Sequence, residues 1–276
     1  MRQDFFKNPD FDPERFERDM KAAPARRRYV IYFTPRSGSS WLTDVLTASK
    51  LMGKPNEWFN PNFIPNIARA VNANSIESYI DMLQRKHKRG GYFSTEITIF
   101  QLHRVFETEA AFLKVFPPDI PTFYLRREDM ILQAVSLAKA VETSVFHSKN
   151  TATEAVDKAD GAFAYDARVI DRWLTHILDQ ERKIEAFFAR FGLRPHRLSY
   201  EQITEMGQEA TVRHFMKVLR PRMHQAGKPE NLNLSTAHEK IGTSRNAEFA
   251  ARFCREHPER LAEVEEFRNR LLPLFP

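Results

Sequence analysis

The chain has 276 residues, 42% of them hydrophobic and 28% charged, a globular composition rather than a disordered one. No apolar run approaches the roughly 20 residues of a membrane helix. The polar opening (MRQDFFKNPDFDPERFERD) lacks the apolar stretch of a secretory signal, and the single Cys254 excludes an internal disulfide and a cysteine-based zinc site. These features predict a cytoplasmic protein with no integral membrane segment. The net charge of +6 favours anionic ligands. Only Arg26-Arg27-Arg28 forms a basic run, and no nucleic-acid-binding module is recognisable, so nucleic acid is not an expected partner.

Residues 1–27 read as a polar leader with a short helix near 12–22, and residues 28–276 as one domain. Tyr29 to Phe33 (YVIYF) is a continuous β-branched and aromatic run, the pattern of a strand buried on both faces. A Pro/Ser/Gly loop follows, then Trp41, Leu42, Val45 and Leu46 at helical spacing. Further strands are predicted at Tyr92–Ile97, Thr122–Leu125 and His196–Tyr200. Between the last two, Val169, Ile170, Trp173, Leu174, Ile177, Leu178, Ile184, Phe187, Phe188 and Phe191 make one stripe of a long helix that Gly192 ends. Strands alternating with helices predict an α/β fold, a single P-loop-like domain with a mostly parallel central sheet flanked by helices. Residues 55–90 and 140–165 read as insertions that shape a pocket.

The loop Thr34-Pro35-Arg36-Ser37-Gly38-Ser39-Ser40-Trp41 carries the strongest chemical signal. Gly38 permits a tight path, and the small side chains let a ligand approach the backbone amides. The helix that follows points N–H groups and its positive dipole end at an anion. The plain alternative is a turn whose serines only cap the helix. A Walker A loop is excluded, since there is one glycine, no lysine before a hydroxyl, and the cation Arg36 precedes the glycine. A small-molecule kinase therefore fits the strand-loop-helix start but lacks its key residue.

Residues 34–41 resemble the phosphosulfate loop of sulfotransferases, [TY]-P-[KR]-S-G-[ST]-[ST]-W, at every position. Arg36, where cytosolic animal enzymes carry Lys, and Pro55-Asn56-Glu57-Trp58-Phe59, which fits a P-x-E-x-F element, resemble the bacterial trehalose 2-sulfotransferase-like family. Strand Thr122–Leu125 runs into Arg126-Arg127, with Ser136 in the next helix. In sulfotransferases an Arg and a Ser so placed hold the 3′-phosphate of the donor, which the resemblance assigns to Arg127 and Ser136, with Arg126 as a substitute.

The resemblance implies 3′-phosphoadenosine 5′-phosphosulfate (PAPS) as sulfuryl donor, no metal, a carbohydrate or glycolipid hydroxyl as acceptor, and a homodimer. It implies that Arg36, Ser37, Gly38, Ser39, Ser40 and Trp41 bind the donor, with Arg36 also pairing with the leaving phosphate, and that Tyr200 lies against the adenine. Lys240 to Arg245 only loosely match the family's late basic segment, where Arg245 is chemically suitable. Glu57 is the expected base, with His103 and His147 as competitors. Trp58, Phe59, Phe63, Tyr79 and Phe146 are candidates to stack on a sugar or, as the default at 12% aromatic content, to fill the core. Ser94-Thr95-Glu96 stands where the family often has Lys, so trehalose itself is not assumed. A nucleotide-binding protein of the same fold that has lost the chemistry is the non-enzymatic alternative.

Overall fold

The computed structural model describes residues 2–144, 161–220, 234 and 244–271. Four strands, β1 (Arg27–Phe33), β2 (Tyr92–Ile97), β3 (Thr122–Arg126) and β4 (His196–Ser199), form one sheet in the order β2-β1-β3-β4, every neighbouring pair parallel. All four strands therefore end on the same edge. The chain leaves β1 toward β2 and returns on the other side of β1 as β3. That reversal opens a crevice beyond the carboxyl ends of β1 and β3, the usual ligand position in open parallel sheets.

Alternation along β1 explains the layering. Val30 and Tyr32 face one core with Phe93, Ile97 and Tyr124, closed by α3 (Ile64–Val71), α4 (Ile76–Lys86), α5 (Ile99–Val105), α6 (Glu109–Val115) and the end of the long helix α8 (Ala167–Phe191). Tyr29, Ile31 and Phe33 face a second core with Leu42, Val45 and Leu46 of α2 (Ser39–Ser49) and Ile203, Val212 and Phe215 of α9 (Tyr200–Leu219). A third core joins α7 (Met130–Thr143) to α8 and to α10 (Ser244–Glu256), through Ala134, Ala138, Ile170, Leu174, Phe249 and Phe253. The N-terminal segment carries α1 (Pro13–Met20), capped by Asp12, and sets Phe6 against Tyr79 at 5.2 Å between ring centres.

The long helix ends at Gly192 with φ 65°, the left-handed cap its sequence predicts. The fourth strand stops one residue earlier than the sequence pattern suggests. Ser199 caps α9 in a reciprocal hydrogen-bonded box with Gln202, which makes Tyr200 the first helical residue.

Candidate functional site

The loop after β1 turns through two left-handed residues, Arg36 (φ 66°) and Gly38 (φ 84°). Gln133 of α7 fixes it from below, its Nε2 donating to Thr34 Oγ1 at 3.0 Å and to the Pro35 carbonyl at 2.7 Å. A Cβ on Gly38 would lie 2.3 Å from Cδ2 of the Tyr200 ring, so only glycine fits there. Helix α2 starts directly after Gly38 with no side-chain cap on its first turn. Its leading amides are therefore open to an anion.

The polar side chains around this turn converge. Arg36 Nε donates to Ser136 Oγ at 3.1 Å. Burial, reinforced by the nearby Arg127 guanidinium, pushes the Arg36 pKa down to about 10. Arg127 lies over the Tyr200 ring at 5.2 Å, and its Nε, 3.7 Å from Glu201 Oε1, makes no hydrogen bond. Ser37 Oγ is buried and likewise has no hydrogen-bond partner. Two cations that repel each other, orphaned donors and an uncapped helix start together fit a bound phosphate or sulfate.

The neighbouring Arg126 faces another environment. It is buried at the end of β3, in the field of Glu181, whose carboxylate accepts from Arg268 Nη2 at 3.0 Å. The same Arg268 donates through Nη1 to the Glu128 carbonyl at 3.0 Å, and the Glu128 amide donates to Glu201 Oε2 at 2.8 Å. The turn that presents Arg127 is thus tied down on both sides.

Glu57 sits on an irregular segment laid against β2. The Asn56 carbonyl accepts from the Glu96 amide at 3.0 Å and from Thr95 Oγ1 at 3.1 Å, and Trp58 Nε1 donates to the Ser94 carbonyl at 2.9 Å. Glu57 Oε2 accepts from Asn60 Nδ2 at 2.7 Å and from Gln101 Nε2. The residue is half-buried. Burial raises its pKa, and the Asn60 and Gln101 hydrogen bonds partly oppose that rise.

The competing histidines stand differently. His103 is on the exposed face of α5, its Nε2 3.0 Å from Glu109 Oε1. His147 and Phe146 lie outside the described residues. Of the aromatic residues expected to line a pocket, Trp58, Phe59 and Tyr79 are core residues with at most 3% exposure. Their apolar burial decides the matter. Phe63 is exposed, and so is Phe100, which the sequence did not single out. Each lies close in the chain to a donor that holds Glu57, namely Asn60 and Gln101.

Among the described residues no contact ties Arg245 to this cluster. It lies over the Phe249 ring at 5.4 Å, with Nη1 3.5 Å from the Gly161 carbonyl. Lys240 to Thr243 lie outside the described residues. Trp41 packs against the second core from the side. Sequence reasoning undervalued Gln133, Gln101 and Glu96. The signal for the last was visible, a carboxylate within a strand whose every residue is buried.

Among the described residues no group of three or more His, Cys, Asp or Glu is arranged to hold a metal ion, and no helix is long and apolar enough to cross a membrane. Trehalose 2-sulfotransferase of Mycobacterium tuberculosis (strain ATCC 35801 / TMC 107 / Erdman) is 26% identical to this chain over 215 residues, covering 64% of this chain and 78% of that protein. The Stf0 sulphotransferase family model matches residues 105–256, a span that holds Arg127, Ser136 and Tyr200 but not the loop after β1. With more than half of its length matched, the chain belongs to the Stf0 sulphotransferases.

Proposed function

We propose that the protein transfers a sulfuryl group from PAPS to a hydroxyl of a carbohydrate or glycolipid acceptor. The observation that carries this reading is the approach of Arg36, Ser136 and Arg127 to one another beside the uncapped start of α2. Three donors of this kind suit a ligand with phosphate at two positions better than a nucleoside monophosphate. When bound, PAPS supplies an activated sulfuryl group whose bridging oxygen departs on a phosphate.

The chain's own residues then divide the work. The amides of Ser39 and Ser40 and the Ser37 hydroxyl bind the phosphosulfate end. Arg36 balances charge on the departing oxygen, a role for preorganised donors that contributes about 3–4 kcal/mol in comparable sites. Arg127 and Ser136 hold the 3′-phosphate, and Tyr200 keeps Gly38 and Arg127 in register. Glu57 removes the acceptor's proton, since Asn60 and Gln101 fix its carboxylate and burial keeps it basic. Phe63 and Phe100 offer exposed rings on which a sugar face or an acyl chain packs.

Incubation with sulfur-35-labelled PAPS and a panel of sugars, glycolipids and cell-envelope extracts tests the reading. Label in a carbohydrate-bearing product supports it. Absence of transfer, together with stabilisation by ATP and magnesium but not by 3′-phosphoadenosine 5′-phosphate, would replace it with a kinase.

A further inference from the structure

Glu96 is an acid in a strand with no exposed residue, and its own exposure is 3%. Among the described residues the other deeply buried glutamate, Glu181, has Arg268 at 3.0 Å. Glu96 has no cation within ion-pairing distance among the described residues, and its Oε2 has no hydrogen-bond partner. Its backbone amide is bonded to the Asn56 carbonyl, the peptide unit that leads into Glu57. The same strand end continues into Thr98, which caps α5, and into Gln101, which holds the Glu57 carboxylate. One short stretch of chain thus supplies both the neighbour and the clamp of Glu57.

We propose that the half-buried Glu57 and the buried Glu96 form a carboxylate pair carrying a single proton, with Glu96 the neutral member and Glu57 the charged one. This deepens, and rests on, the reading of Glu57 as the base. Carboxyl groups that interact strongly at a site shielded from water do not both ionise at neutral pH. Burial raises Glu96 well above the ordinary carboxylate range, and the charge of Glu57 adds to that rise. Asp44 of α2 acts in the same direction, more weakly, while the hydroxyls of Thr43 and Ser39, also on α2, oppose it.

The charge resides on Glu57, which is half-buried and accepts from two side-chain amides, whereas Glu96 is 3% exposed and its Oε2 has no hydrogen-bond partner. Glu96 is thereby a positioning residue. As a neutral acid it leaves one negative charge in the pair, limiting repulsion of an anionic donor, and leaves Glu57 free to accept a proton. In the transfer step the acceptor oxygen bonds to sulfur and its proton passes to the Glu57 carboxylate, while the bridging oxygen–sulfur bond breaks and its electron pair stays on the departing phosphate. The pair then holds two protons and returns one to water.

Carbon-13 NMR of side-chain carboxyls in glutamate-labelled full-length protein tests the pair without reference to turnover. The wild type is expected to contain a glutamate that stays protonated at pH 7, and Glu57→Gln should move its titration at least one pH unit lower by removing the neighbouring charge. Glu96→Gln should delete that signal. A protonated signal whose titration is unmoved in Glu57→Gln, or no protonated glutamate at pH 7, overturns the pair. The wild type and Glu57→Gln suffice if Glu96→Gln does not fold. Should the titration move while Glu57→Gln retains full turnover, the pair stands and the base assignment alone fails.

Discussion

Arg36 and Ser136, 100 residues apart in sequence, meet through a 3.1 Å hydrogen bond from guanidinium Nε to hydroxyl Oγ. The contact joins the loop after β1 to the helix after β3 across the crevice where the strand order reverses. Ser136→Ala should therefore disturb the free protein little and the complex more. Hydrogen bonds to charged groups are worth about 1.5–3 kcal/mol. The dissociation constant of 3′-phosphoadenosine 5′-phosphate should rise roughly tenfold or more by that measure, as read by calorimetry.

The Arg36–Arg127 repulsion gives a second expectation. A cation whose pKa is depressed on folding costs stability at every pH below the folded value, here about 10, and the cost fades only above it. Arg127→Gln should thus leave the melting temperature of the free protein unchanged or higher at neutral pH. It should also abolish most of the stabilisation that 3′-phosphoadenosine 5′-phosphate confers on the wild type. Thermal scans with and without ligand check both halves, and a destabilised free protein would speak against mutual repulsion.

Gly38→Ala places a methyl 2.3 Å from the Tyr200 ring on a backbone at φ 84°. The left-handed conformation alone costs a non-glycine residue about 1–2 kcal/mol. Displacement of the ring adds to that cost and moves Arg127, which lies over it. A double-mutant cycle with Tyr200→Ala should recover part of the loss. Strict additivity of the two substitutions is the contrary outcome.

Glu57→Gln should lower kcat about 100-fold or more, the range of general-base contributions, with ligand affinity within about twofold of wild type. Because burial raises its folded pKa, Glu57 contributes stability that is complete below the unfolded value and lost as pH rises through the folded one. The Gln variant should therefore gain stability relative to wild type across that window. The acid limb of kcat against pH should lie above the ordinary carboxylate range. An acid limb unchanged in Glu57→Gln would contradict the assignment.

Local chemistry made much of this architecture readable from sequence. The buried run of β1, the glycine of the loop and the αL cap at Gly192 each have one physical explanation, and their positions follow from it. The choice between Arg126 and Arg127 could not be read that way, because adjacent residues at a strand end face opposite environments. It depends on the distant Glu181 and Tyr200. The rings of Trp58, Phe59 and Phe63 left core and pocket both open for a related reason, since an irregular segment carries no periodicity to say which way a ring faces. Gln101 carries no sequence signal for the site: it caps α5, and its amide reaches Glu57 only through the fold.

Calorimetric comparison of 3′-phosphoadenosine 5′-phosphate with adenosine 5′-monophosphate, on wild type and Arg127→Ala, is the most direct test that Arg36, Arg127 and Ser136 act as one site for a doubly phosphorylated nucleotide. The two ligands differ only in the 3′-phosphate. The wild type should prefer the bisphosphate by about tenfold or more, given the strength of charge-assisted bonds to phosphate, and Arg127→Ala should lose that preference. Equal affinity for both ligands in the wild type, or a preference that survives the substitution, would contradict the site.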